Sequence, residues 1–141
     1  MLAISSPSDE ARIDQGRLAL ERFGLRVSYG ANLFTRERSY LAGSDVARLH
    51  EINRAFASPE FDAFFFARGG YGAMRILDSI DYAAIASNPR PIIGYSDLTA
   101  LHQAVAVRAG VATFHGPMLN TDFHQGLSSL TEKWFWSMLE G

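Results

Sequence analysis

Phe61-Asp62-Ala63-Phe64-Phe65-Phe66-Ala67 runs straight into Arg68-Gly69-Gly70-Tyr71-Gly72. A nearly continuous apolar run of this length is what a strand shows when both its faces are buried, as in the middle of a parallel sheet. Parallel neighbours need crossover connections, usually helical, so the flanking sequence is read for alternating strands and helices.

Alternation extends in both directions. Leu2-Ala3-Ile4 is a short apolar run halted by Ser5-Ser6-Pro7-Ser8-Asp9, whose hydroxyls, proline and carboxylate suit a helix start. A helix follows from Ala11 to Phe23, with Ile13, Leu18, Ala19 and Phe23 near helical spacing and Gly24 as its stop. Leu25-Arg26-Val27-Ser28-Tyr29 alternates like a half-exposed strand, which would complete a β-α-β unit. The stretch from Ala31 to Gly43 has no assignable pattern. Ser44-Asp45 caps a second helix through about Phe56, with Val46, Leu49, Ile52, Asn53 and Phe56 on one side, and Ser58-Pro59-Glu60 breaks it.

Beyond the glycine-rich loop, Ala73 to Leu77 reads as a short helix and Tyr82 to Ala86 as a helical turn before Asn88-Pro89-Arg90-Pro91. Ile92-Ile93-Gly94-Tyr95 is another buried strand, Asp97 to Arg108 a helix stopped by Gly110, and Val111-Ala112-Thr113-Phe114 a further strand. From Ser128 to Leu139 an amphipathic helix carries Trp134, Phe135 and Trp136, and both tryptophans are expected to pack on something. The fold class is therefore α/β, doubly wound (flavodoxin- or Rossmann-like), with a mainly parallel sheet and helices on both faces.

Composition sets the outer bounds. With 141 residues, 48% hydrophobic and 20% charged, the chain suits one compact domain with a real core. A net charge of -2 gives no field to gather nucleic acid or an anionic membrane surface, so neither is expected as a partner. There is no cysteine, which removes disulfides, thiolate metal sites and cysteine nucleophiles. No apolar run is long enough to span a bilayer and no secretory leader is recognisable, so the chain is read as cytoplasmic.

Ligands of open α/β sheets bind at the carboxyl ends of the strands, which directs attention to Ser5 to Asp9, Arg68 to Gly72, Gly94 to Asp97 and His115 to Pro117. Ile93-Gly94-Tyr95-Ser96-Asp97 puts a serine between a buried strand and a helix, with a small residue two positions earlier, as in a nucleophile elbow. Ser96 Oγ would then stand at a helix N-terminus whose partial positive charge favours an anion, with the Asp97 amide beside it. Leu98 occupies the place of the usual second glycine, and on these residues alone a helix cap at Ser96 or Asp97 is the favoured reading. Gly69, Gly70 and Gly72 could bring backbone amides close to a substrate and complete an oxyanion hole, or could simply make a tight turn. The loop is neither a Walker nor a dinucleotide fingerprint. His115 is either a base or a polar loop residue. His50, His102 and His124 lie at no metal-ligand spacing and receive no function; no metal or cofactor is expected.

Taken together, Ser5-Ser6-Pro7, Tyr40-Leu41-Ala42-Gly43, Ala67 to Gly72, Ile93 to His102 and Phe114-His115-Gly116-Pro117-Met118 resemble the LD-carboxypeptidase family, which includes the muramoyltetrapeptide carboxypeptidases and the microcin-immunity peptidases. The resemblance runs from about residue 2 to residue 123. It implies a serine peptidase with a Ser-His-Glu triad in which Ser96 attacks, Asp97 and Gly70 supply the oxyanion amides, and Arg68, Gly69, Tyr71, His115 and Gly116 line the substrate cleft. The Glu and His would come from a carboxyl-terminal domain beyond this sequence. On that reading residues 1–123 form the nucleophile-bearing domain, residues 124–141 lead toward the missing one, and this fragment alone does not turn over substrate. The implied substrate is a small peptide or muropeptide, cleaved at an L-D amide bond in peptidoglycan recycling, and the full-length protein is expected to be a homodimer. Rival expectations are a microcin-immunity type amidase on peptidyl- or aminoacyl-nucleotides, and a non-catalytic small-molecule binding domain.

Overall fold

The computed structural model describes all 141 residues. Three parallel strands, β1 (Phe64–Phe65), β2 (Ile92–Gly94) and β3 (Phe114–His115), lie side by side in that order. Phe64 pairs with Ile92 and Phe65 with Ile93; Ile93 then pairs with Phe114 and Gly94 with His115. Leu2 joins the far side of β1 through a parallel bridge to Phe66. The helices are α1 (Glu10–Glu21), α2 (Asp45–Ala57), α3 (Tyr82–Ser87), α4 (Thr99–Ala109) and α5 (Ser129–Glu140).

Side chains alternate across a strand, and here the alternation divides the core in two. Phe64, Phe66 and Ile92 face one cluster with Ile52 and Phe56 of α2, Ile85 of α3 and Leu101 and Val105 of α4. Phe65, Ala67 and Ile93 face the other, with Ile13 and Leu20 of α1, Phe123, and Phe135 of α5. Helices thus cover both faces of a parallel sheet, the arrangement expected from the buried strand at 61–67.

Start signals sit where they were read. Asp9 accepts from the Arg12 amide at 3.0 Å to begin α1, and Ser44 from the Ala47 amide at 3.2 Å to begin α2. Gly110, at φ +68°, ends α4. The strands are shorter than their apolar runs, and 25–29 is not laddered. Its only pairing is around Met1, whose amine donates to the Ser28 carbonyl and whose carbonyl accepts from Gly30. Leu25 and Tyr29 stay exposed, so little burial drives that edge into register. Two 3-10 turns, Ala73–Arg75 and Leu77–Ser79, stand where one short helix over 73–77 is expected. In α2 the inward face carries Arg48 and Glu51 beside Ile52, Ala55 and Phe56, while Val46 is exposed.

The last helix belongs to this core. Phe135 is buried against Phe65 and Phe123, and Trp136 packs at 4.5 Å between ring centres on Phe23. Trp134, expected to pack, is 60% exposed on the opposite side of the helix.

Candidate functional site

β2 delivers the chain to the carboxyl edge of the sheet, where Tyr95 is still extended (φ -154°) and Ser96 turns to φ +63°. A 3-10 turn at Ser96–Leu98 then passes into α4. No side chain caps either segment, so the reading of Ser96 or Asp97 as an ordinary helix cap does not describe the molecule. Ser96 is exposed and its hydroxyl bonds to no protein group. The amides of a helical first turn have no intrahelical partner, which leaves the Asp97 N–H beside that hydroxyl as a donor.

The glycine-rich bend comes to meet it. A Cβ on Gly69 would lie 2.9 Å from Ser96 Cβ, 3.0 Å from its Oγ and 3.2 Å from the Asp97 nitrogen, so only glycine permits this approach. Gly70 stands at φ +115°, where a side chain would be strained and would also strike Ser6 Oγ. Ser6 holds the bend from below: its amide donates to the Gly69 carbonyl at 3.4 Å and its Oγ accepts from the Tyr71 amide at 3.2 Å.

Two groups fix the elbow itself. The Asp97 carboxylate accepts from Ser5 Oγ at 2.7 Å and from the Ala73 amide at 2.9 Å, joining the segment that follows the Leu2 bridge and the end of the bend to the residue after Ser96. Ser5 is fully buried. From the other side, His102 of α4 places Nε2 2.8 Å from the Gly94 carbonyl, which also receives the Gly116 amide at 3.2 Å. A carbonyl only accepts, so Nε2 carries the proton. Burial pushes the His102 pKa down, against the opposing pull of the Gly94 bond.

Of the residues singled out in the sequence, Ser96, Asp97, Gly69 and Gly70 are brought together. Gly94 pairs with His115 across the sheet, and His115 is exposed with its ring 5.7 Å from that of Tyr95. Gly116 and His115 line a groove of about 520 Å³ with Tyr95, Thr121, Asp122 and Ser128. Tyr71 is exposed and meets Tyr40 edge to face at 5.9 Å. Arg68 is half-buried, and its Nε is enclosed without a hydrogen-bond partner. Ser5, Ser6, His102 and the Asp97 carboxylate were not assigned these roles from sequence. His102 had one usable signal, its place on the apolar face of α4 with Leu98, Leu101 and Val105.

The arrangement can present a hydroxyl beside backbone N–H groups, the geometry that acyl transfer uses. No imidazole hydrogen-bonds that hydroxyl, and no three His, Asp or Glu side chains converge to hold a metal. Two cavities flank Met1, of about 390 and 700 Å³, and include none of these residues.

A sequence model of one protein family, described as LD-carboxypeptidase N-terminal domain, matches residues 1–116. Over 122 residues the chain is 42% identical to the probable murein peptide carboxypeptidase of Bacillus subtilis (strain 168), which is 86% of this chain and 38% of that protein. Over 130 residues it is 33% identical to the microcin C7 self-immunity protein MccF of Escherichia coli, 91% of this chain and 38% of that one. The solved structure of wild-type MccF in its apo state superposes with a TM-score of 0.91 at 29% identity, over 98% of this chain and 42% of that chain. Muramoyltetrapeptide carboxypeptidase from Oxalobacter formigenes superposes at 0.86 and 26% identity, over 99% and 47%. The chain spans about two fifths of the length of these two curated relatives. Because the family match takes in the glycine-rich bend, the serine turn and β3 together, the chain belongs to the LD-carboxypeptidase family and represents its amino-terminal domain.

Proposed function

We propose that this domain supplies the nucleophile of a cytoplasmic serine peptidase that hydrolyses the L-D amide bond of murein tetrapeptides and releases a terminal D-amino acid during peptidoglycan recycling. Ser96 Oγ attacks the carbonyl carbon, a His takes its proton and gives it to the leaving amine, water activated by the same His then hydrolyses the acyl-enzyme and restores the serine, and a Glu orients that His. The amides of Asp97 and Gly70 receive the oxyanion, and Arg68, Gly69, Tyr71, His115 and Gly116 line the cleft. The His and Glu belong to a carboxyl-terminal domain that follows residues 124–141, and two copies of the longer protein form a dimer.

One observation carries this reading: a non-glycine residue held at φ +63° between a buried strand and a helix, with a glycine backbone pressed against its hydroxyl. Strain of this kind is kept where the surroundings over-determine it, which is common at reacting groups. In the longer protein, Ser96→Ala should lower turnover of a murein tetrapeptide by about 10⁴-fold or more while the melting temperature stays put. Wild-type turnover by that variant would end the proposal.

A second reading within the same chemistry, an amidase of the microcin-immunity type, is supported by the superposition on MccF, one of whose structures holds aspartyl sulfamoyl adenosine. Assaying a tetrapeptide and an aminoacyl-sulfamoyl nucleoside side by side separates the two. If a serine-directed fluorophosphonate never labels Ser96 in the longer protein, a non-catalytic binding domain is the better description.

A further inference from the structure

Arg48 is a charged side chain with no exposure at all. Its Nη1 donates to the carbonyls of Ile4 and, at 2.9 Å, Gly72; its Nε donates to the Gly43 carbonyl at 3.3 Å; its Nη2 meets the Asp45 carboxylate. Asp45 is also held from outside by Arg75, at 2.6 to 3.0 Å. Burying a guanidinium is unfavourable unless it is paired and its donors are used, and all three donor nitrogens are used here.

The three carbonyls share a location. Ile4 precedes the Ser5-Ser6 pair that holds Asp97 and the bend, Gly43 closes the turn before α2, and Gly72 is the last residue of the bend. Ser6 therefore holds the bend on both sides of Gly70, at Gly69 and Tyr71, and Arg48 anchors its far end at Gly72. Gly72 is at φ +130°, and a Cβ there would come within 2.8 Å of Arg48 Nη1, so the guanidinium lies directly against this backbone. Lysine keeps the charge, but its three donors sit on one nitrogen and could not reach at once the separate acceptors that Nε, Nη1 and Nη2 serve here.

We propose that Arg48 is the positioning residue that sets the glycine-rich bend, and with it the Gly70 amide, against Ser96. This rests on the reading of Ser96 and Gly70 given above. Arg48 touches neither substrate nor reacting atoms; it acts through the Gly72 and Ile4 carbonyls.

The test uses Arg48→Lys and, because a core variant can fail to fold, the half-exposed Asp45→Asn, which takes the negative charge from the partner of Arg48 while leaving an acceptor oxygen in place. In the 141-residue chain, hydrogen exchange at the amides of Tyr71 and Ala73, which are bonded to Ser6 Oγ and the Asp97 carboxylate, should quicken about tenfold in R48K and less in D45N, while Leu101 and Val105 of α4 exchange as in the wild type. In the longer protein, R48K should lower kcat by roughly ten- to a hundredfold, the scale of a small misplacement of a reacting geometry, with KM within about threefold. Unchanged exchange at the bend, or equal quickening in α4, overturns the proposal, as does a wild-type kcat in folded R48K. If R48K does not fold, the same readouts on D45N decide. If Ser96→Ala keeps its turnover, the reading of Ser96 falls and the exchange measurement alone decides Arg48.

Discussion

Ser96 occupies a conformation that disfavours an L-residue by about 1–2 kcal/mol. Arg38 and Ser39 share it, but they lie in an exposed turn, whereas Ser96 links a buried strand to a packed helix. The contacts that hold it come from remote parts of the chain. Ser5 and Asp97 are 92 positions apart and Ala73 and Asp97 are 24, so neither pairing could be read locally, although the serine itself, between an apolar run and a helix, could. His102 makes this region pH-sensitive. Its folded pKa lies below the ordinary 6.5, so as pH falls through 6.5 the unfolded chain takes up a proton that the folded protein resists, and stability drops until pH has passed the folded value as well. The Met1 amine, lowered to about 6 by burial, adds a slope of the same sign from about pH 8 downward. Glu51, raised by burial, opposes both over the range above its ordinary 4.5, since there the folded state holds the extra proton. Comparing two proteins cancels these common slopes. Urea unfolding of wild type and His102→Gln should show a difference in free energy that shrinks as pH is lowered from 7 to 5; a difference that stays constant across that range would mean that His102 is not held neutral by the fold.

At the scale of elements, helices were more legible than strands because their signals are local. Asp9, Ser44 and Gly110 act within three or four residues of where they stand, and α1, α2 and α4 begin or end accordingly. A strand has no such autonomy: Leu25-Arg26-Val27-Ser28-Tyr29 has the right alternation, yet with one neighbour and exposed side chains it forms no ladder. The two charged residues on the inner face of α2 were hidden for a related reason, since periodicity assigns a face by polarity and Arg48 is buried despite its charge. The last helix gives a clear contrast between two adjacent aromatics. Phe135 is 8% exposed, meets Phe65 and Phe123 edge to face, and lies within about 3.2 Å of where a Gly116 Cβ would stand; Trp134 is 60% exposed. In this chain Phe135→Ala should therefore lower unfolding free energy by about 3–5 kcal/mol, and Trp134→Ala by no more than about 0.5 kcal/mol. Chemical denaturation of both variants measures the two effects, and similar small losses would show that α5 is not docked as described.

For the molecule as a whole, the sheet supplies an orderly edge and the chemistry is distributed along it. Ser5-Ser6, the bend at 68–72, the turn at 94–97 and His115-Gly116 are separated in sequence but adjoin because successive parallel strands end side by side. What this edge holds is a positioned hydroxyl and backbone donors, with no imidazole bonded to that hydroxyl. A serine without a base is a poor nucleophile near neutral pH, whereas oxyanion donors still stabilise an adduct once it forms. A fluorophosphonate probe separates these contributions because its reaction needs the activated serine and forms a phosphonyl adduct that can be located by mass spectrometry. The expected outcome is slow labelling of Ser96 in the 141-residue chain and labelling at least about 1,000-fold faster in the longer protein, the scale on which triad function exceeds what remains when the base is lost. Equal rates would mean that the base lies within this domain. His115, exposed against Tyr95 at the same edge, would then be the residue to replace, and loss of labelling in His115→Ala would move the general base from the carboxyl-terminal half to β3.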